Sequence, residues 1–147
     1  MDVNPFILSA IRLHDLCFIQ KHIHECTIQD KLILWMVKNK HFSDPIFYYF
    51  HHILHFDLDG FDSRGKTALY YAILNKNYSI ARKLIYLGAD VNMGFPIFLV
   101  IRQNQYELLK ELLSHGGIID IQNKLGMYPV EEAKTLHFSN IVQLLDS

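Results

Sequence analysis

The sequence predicts an all-α solenoid of about five helix-turn-helix repeats with short β-hairpin-like fingers. Three observations predict it. Residues 62–92, DSRGKTALYYAILNKNYSIARKLIYLGADVN, read as two short amphipathic helices between a capped turn and a glycine stop. Weaker copies of that unit recur along the chain. Two such helices cannot bury both of their faces alone, so they need copies above and below.

Composition agrees. The chain has 147 residues, enough for one domain with a real core, and half of them are hydrophobic, which argues against wholesale disorder. A formal net charge of −1 gives no bulk attraction to nucleic acid or to a membrane surface. Cys17 and Cys26 are the only cysteines; they suggest no disulfide scaffold and fit a reducing, cytoplasmic compartment. The N-terminus has an early acid and no basic region, so no signal peptide is expected. No apolar run reaches about 18 residues, so no membrane span is expected.

The chain divides at approximately 1–25, 26–59, 60–92, 93–122 and 123–147, within a single domain of residues 1–147. In the first unit Ala10 falls on Ala72 and Phe18 on Ile80, and the leading turn is lost. In the second, Asp30 can cap a helix through Leu32, Ile33, Trp35, Met36 and Val37. Ser43-Asp44-Pro45 then starts an aromatic-rich helix from Ile46 to about His55, with Pro in the first turn where its missing N–H costs nothing. Phe56-Asp57-Leu58-Asp59-Gly60 resembles the exit of the third unit. That third unit is the clear one. Asp62 and Gly65 suit a tight turn, and Thr67 can cap a helix. Leu69, Ala72 and Ile73 line one face, Ile80, Leu84 and Ile85 another, and Gly88 can take the positive φ of a helix stop. The fourth unit starts at Met93 with Pro96 in its first turn. Leu112 to Gly117 repeats Leu84 to Ala89 after only 28 residues, so the finger between units three and four should be about five residues short. The fifth runs from Asn123 through Pro129 and Ala133 to Leu145. Its Glu131, Glu132, Lys134 and Gln143 suit a cap with one wet face.

Asp62, Gly65, Thr67, Ala68, Leu69 and Ala72, then Leu84-Ile85, then Gly88-Ala89-Asp90-Val91-Asn92, together resemble one ankyrin repeat of about 33 residues. Ala68 stands where Pro is usual and Tyr70 where His is usual. The resemblance implies protein recognition through turn tips and the exposed end of each first helix. In this chain those positions are Ser63, Arg64, Lys66, Leu74 and Asn75. Their counterparts are Arg12 and Leu13, Lys38 and Asn39, Arg102 and Gln103, then Lys124, Leu125, Met127, Thr135 and Leu136. Arg12, Lys38, Arg64, Lys66, Arg102 and Lys124 recur there and no acid does, which implies a partner with an acidic surface and binding that weakens with salt. The resemblance also marks Asn92 as a position that is hydroxylated in some ankyrin repeats. The small, Ile-, Tyr-, Phe- and His-rich repeats are similar in style to short ankyrin proteins of large DNA viruses and intracellular bacteria. That style implies a host-directed effector acting in the host cytosol.

A competing reading needs weighing. Gly60-Phe61-Asp62-Ser63-Arg64-Gly65-Lys66-Thr67 satisfies G-x-x-x-x-G-K-[ST], the phosphate-cradling loop of nucleotide-hydrolysing enzymes. Such a loop follows a buried parallel strand, whereas acid-bearing Ile53 to Asp59 precedes this one. No second strand ends in a metal-binding acid. The repeat explains Asp62, Gly65 and Thr67 without a nucleotide. His51 and His55 share a helix face, but no paired zinc-ligand spacing accompanies them. Phe47, Tyr48, Tyr49, Phe50, Phe56, Phe61, Tyr70 and Tyr71 read mainly as core, with exposed members available as anchors for a partner. No nucleophile–base set can be assembled. The expectation is a non-enzymatic protein-binding module with no cofactor and no metal. The alternative is a nucleotide-binding enzyme using Gly60–Thr67.

Overall fold

The computed structural model describes residues 4–26 and 31–147. Asp30, the expected cap of the second unit, lies outside the described residues. Among the described residues ten α-helices follow in order: α1 Pro5–Arg12, α2 Leu16–His22, α3 Leu32–Lys38, α4 Asp44–Tyr48, α5 Ala68–Leu74, α6 Tyr78–Tyr86, α7 Pro96–Arg102, α8 Tyr106–Ser114, α9 Pro129–Thr135 and α10 Ser139–Leu145. Tyr49–Ile53 continue α4 as a π-helix, and Ile23–Glu25 continue α2 as a 3-10 turn. The fingers contribute one isolated antiparallel bridge, Phe61 to Thr67.

The odd-numbered helices form an inner layer, α3 on α5 on α7 on α9, and α6, α8 and α10 stack behind them. This arrangement explains their compositions. An inner helix is covered by its own partner and by inner helices on both sides, so α5 buries Ala68, Leu69, Tyr71, Ala72 and Ile73, most of its circumference. An outer helix is covered on one side, so α6 buries only the stripe Ile80, Ala81, Leu84 and Ile85. The buried apolar residues form one continuous core from Ile7 to Leu145.

One turn is repeated five times among the described residues. His14, Lys40, Lys76, Asn104 and His137 each take a left-handed conformation, φ 53° to 61°, directly after an inner helix. The next backbone N–H then reaches five residues back. Asp15 bonds Ala10, His41 bonds Met36, Asn77 bonds Ala72, Gln105 bonds Val100 and Phe138 bonds Ala133, at 2.8 to 3.1 Å. This closure satisfies carbonyls that the helix end leaves free. It also confirms the register that places Ala10 on Ala72.

The second unit departs from the pattern. Its helix was expected to run to about His55; α-helical geometry ends at Tyr48 and a π turn follows, with Leu54 N–H bonding Tyr49 C=O at 3.0 Å. Counting between left-handed residues locates the cause. His55 comes fifteen residues after Lys40, whereas Gly88 comes twelve after Lys76. Two of the extra residues lengthen the turn 39–43 relative to 75–77. The third is absorbed in the wide π turn, which returns Phe56 and Leu58 to the buried places of Ala89 and Val91. Ser43 stands at the start of α4, but its hydroxyl makes no capping bond.

The short third finger is present. Nine residues, 87–95, join α6 to α7, against fourteen, 115–128, between α8 and α9. The shortening forces Phe95 into φ 56° at the start of α7, a conformation that costs a side chain about 1–2 kcal/mol. Glu132, expected on a wet cap, is 5% exposed. The reason is a paired base, described below.

Leu84→Ala, at a fully buried site, should lower unfolding free energy by about 2–5 kcal/mol in urea denaturation. Gly88→Ala should cost about 1 kcal/mol, because φ is 95° but an added Cβ meets nothing within 4 Å.

Candidate functional site

The last turns of the inner helices fall in one row, as their shared turn geometry requires. Arg12 and Leu13 end α1, Lys38 and Asn39 end α3, and Leu74 and Asn75 end α5. Arg102 and Gln103 end α7, and Thr135 and Leu136 end α9. Beside the row lie the finger tips Ser63, Arg64 and Lys66, then Lys124, Leu125 and Met127. The structure therefore brings the expected recognition residues onto two adjacent lines. Leu74 is 43% exposed and Leu125 79%, while Met127 is half-buried.

Much of the row also ties one unit to another. The Arg12 guanidinium lies 5.5 Å from the Trp35 ring centroid. Lys38 Nζ is 3.3 Å from Asp62 Oδ2 and 4.8 Å from the Tyr71 ring. The Asn75 amide donates to Val37 C=O at 3.4 Å, and the Gln103 amide to Ile73 C=O at 2.9 Å. Arg102 pairs with buried Glu132, which also accepts from the Asn123 amide at 2.9 Å. Sequence reasoning found the bases but missed these two acids. Asp62 is 24 residues from its base and Glu132 is 30. The neutralised pairs change the reading of the basic stripe: Lys38 and Arg102 are each held by an acid, whereas among the described residues no ion pair joins Arg12, Lys66 or Lys124 to one.

Two fingers share one hydrogen-bond plan. Asp62 Oδ1 accepts from the N–H groups of Arg64 and Lys66 at 2.9 and 3.0 Å, and Gly65 N–H bonds Asp62 C=O. Asn123 Oδ1 accepts from Leu125 and Met127 at 2.8 and 3.1 Å in the same way, with Gly126 in the place of Gly65. Both glycines need a positive φ there, 71° and 77°. Asp62 differs in what surrounds its second oxygen. Burial alone would push its carboxyl up. The Tyr71 hydroxyl donating at 2.5 Å, the two backbone N–H groups and Lys38 outweigh burial and hold it well below the usual carboxylate range. Tyr71 in turn accepts from Arg64 at 3.0 Å.

The same geometry overturns the phosphate-loop reading. No strand precedes Gly60; a π turn and an irregular segment do. The N–H groups of Arg64, Gly65 and Lys66 are spent on Asp62 and cannot face a phosphate. The Thr67 hydroxyl is buried and accepts from Tyr70 N–H at 3.3 Å as the cap of α5. Lys66 Nζ donates to Gly94 C=O at 2.8 Å and lies 4.4 Å from the Tyr70 ring.

His51 packs against Phe47 and His52 in the π turn, and His55 occupies the left-handed stop. The described residues contain no group of three His, Cys, Asp or Glu suited to a metal. Cys17 is exposed and Cys26 buried, both as free thiols. Asn92 clamps the following connection, its amide donating to Gly116 C=O at 3.0 Å and accepting from Ile118 N–H at 2.8 Å. Of the aromatics, Phe47, Phe50, Phe56 and Tyr71 are buried, whereas Tyr48, Phe61 and Phe95 are exposed. Among the described residues no helix is long and apolar enough to cross a membrane.

Comparison with known proteins adds the family. The model described as Ankyrin repeat matches residues 64–94. The chain is 33% identical over 98 residues to the putative E3 ubiquitin-protein ligase XBAT35 of Arabidopsis thaliana, covering 61% of this chain and 21% of that one. It is 34% identical over 71 residues to ankyrin repeat and SOCS box protein 5 of Bos taurus, covering 46% and 22%. It is 30% identical over 81 residues to ankyrin repeat and SOCS box protein 2 of Mus musculus, covering 54% and 12%. The chain thus spans about a quarter or less of the length of the curated relatives it matches.

Because Asp62 is depressed in the folded state, its stabilisation is complete above the unfolded pKa near 3.9 and is lost as pH falls toward the folded value. Melting temperature should therefore drop on acidification below about pH 4–5. Asp62→Asn, which keeps the turn as Asn123 does, should lower the unfolding free energy at pH 7 by about 1–3 kcal/mol and respond less steeply to acid. Titration with magnesium-ATP, followed by Trp35 fluorescence and melting temperature, should give no Lys66-dependent change.

Proposed function

This chain is an ankyrin-repeat protein, and we propose that it works as a non-enzymatic module that binds a partner protein through its inner row and finger tips. Residues 1–147 act as one interaction domain of five repeats at the boundaries given above. The observation that carries this reading is the pairing of exposed apolar side chains with fixed polar ones. Leu74 stands between the tethered Lys38 and Arg102, and Leu125 beside Lys124, on a stack whose turns are closed by hydrogen bonds. Apolar anchors give affinity when water is excluded around them, and charges give orientation and encounter rate.

The contact set is Arg12, Lys38, Asn39, Ser63, Arg64, Lys66, Leu74, Asn75, Arg102, Gln103, Lys124, Leu125 and Met127. The near-neutral total supports a protein over a nucleic acid or membrane as partner, and the basic finger tips favour an acidic surface on it. A host-directed role in the cytoplasm is the finer reading.

Affinity capture with the tagged chain tests the module. Wild type should retain a defined partner at stoichiometric yield. Leu125→Asp and Lys124→Glu, at exposed finger-tip positions, should each weaken retention about tenfold without lowering the melting temperature. Arg102→Glu is unsuitable, since it would set two carboxylates against each other at buried Glu132. Equal retention by all variants would overturn the proposed face.

A further inference from the structure

The residue just before each of α5, α7 and α9 holds the same place in its unit, and the three differ. Thr67, before α5, is 1% exposed and spends its hydroxyl on capping the helix. Tyr128, before α9, is 38% exposed and has φ −74° and ψ 159°, the extended backbone that a following proline favours. Phe95, before α7, is 54% exposed and has φ 56° and ψ 53°, although Pro96 follows it. Because α7 packs against α9, Phe95 and Tyr128 stand on neighbouring helices at the same edge.

The fold makes little use of the Phe95 ring. A left-handed backbone is unfavourable for a bulky aromatic, and a phenyl group supplies no capping hydrogen bond. The ring lies outside the apolar core and, among the described residues, makes no ring–ring or cation–ring contact. The backbone that carries it is nonetheless fixed. Phe95 N–H bonds Asn92 C=O at 3.0 Å, and Gly94 C=O, at the other end of the same peptide group, accepts from Lys66 Nζ at 2.8 Å. Both polar groups of the Gly94–Phe95 peptide are therefore tied, one of them to the preceding finger, and the ring projects from a rigid base. The short finger accounts for the conformation. It does not account for the side chain, since Gly or Asn would fill the place at lower cost.

We propose, resting on the protein-binding reading, that Phe95 is a specificity-determining anchor outside the contact set given above, and that a leucine or aromatic side chain of the partner protein packs on Phe95 and Tyr128. Strain held at a rigid, exposed position is stored for a function rather than for the fold. Aromatic rings suit that function, because they bring a large contact area with few rotatable bonds to lose. The charges beside the ring select the occupant. The Lys66 ammonium lies below the ordinary lysine range, through burial first and then through the positive charges of Lys124 and Arg64. A second copy of this chain presenting the same edge would set these cations against their own kind, which favours a different protein over self-association.

Phe95→Asn separates folding from binding, because Asn tolerates the left-handed backbone and removes the ring. Its melting temperature should equal or exceed that of wild type, by up to about 4 °C. A lower value would show the ring to be part of the packing and overturn the anchor. Binding is read with a random dodecapeptide library selected on the full chain, the selected peptides then being measured by fluorescence polarisation. They should share a Leu, Phe, Tyr or Trp whose replacement by Ser abolishes binding. Their affinity should fall about tenfold or more with Phe95→Asn and stay within about twofold with Phe95→Tyr, which keeps the ring. If peptides bind Phe95→Asn as tightly as wild type but are lost with Leu125→Asp, the module stands and the anchor falls. If no peptide responds to either variant, both fall. Wild-type dimers in light scattering, or sedimentation of wild type with phosphatidylserine vesicles, that Phe95→Asn abolishes would give the ring to a second copy or to a membrane and overturn the anchor likewise.

Discussion

An inner helix that is apolar nearly all round cannot be covered by one neighbour. That constraint organises this protein. It forces α5 to be enclosed by α6 behind and by α3 and α7 on either side, and the same demand passes along the stack. The only polar surfaces left to the inner layer are its last turns and the fingers that precede each helix. Solvent-facing side chains of the inner layer are concentrated at those places because the rest of each inner helix is occupied in holding the stack together.

The fold was legible where a position needs a particular residue. Asp62, Gly65, Thr67 and Gly88 each answer a local requirement, and all four sit as their chemistry demands. The deficit in the third finger was readable from the 28-residue spacing alone. The five left-handed residues after the inner helices were not. Lys40 and Lys76 carry no signature of that conformation, His14, Asn104 and His137 only the mild preference of their residue types, and closure of the turn offsets its cost. The π turn was hidden for a related reason: an insertion shows in sequence as a shifted register, without showing which element absorbs it.

The site was legible as a set of positions but not as an electrostatic arrangement. Counting Arg12, Lys38, Arg64, Lys66, Arg102 and Lys124 suggests a continuous basic stripe. Coordinates divide it into bases bound within the fold and bases that are not, and the division depends on acids in the next unit. Glu132 illustrates the limit. Flanked in sequence by Glu131 and Lys134 it reads as surface, yet Arg102 and Asn123 make its burial tolerable. The phosphate-loop match shows the converse, a motif whose spacing is met while the N–H groups of Arg64, Gly65 and Lys66 are already committed to Asp62.

The inter-unit ties to shielded acids have a direction, which the exposed Asp44 and its later partner Lys83 do not share. Lys38 precedes Asp62, Arg82 precedes Glu111, and Arg102 precedes Glu132, so each shielded acid is held by a base earlier in the chain. During synthesis from the amino end, the long cationic side chain emerges first and stays hydrated at little cost. Its carboxylate arrives later and is dehydrated only once the counter-ion stands ready. Growth on the ribosome therefore never requires a half-made stack to enclose a lone negative charge, and each new pair of helices can dock as it appears.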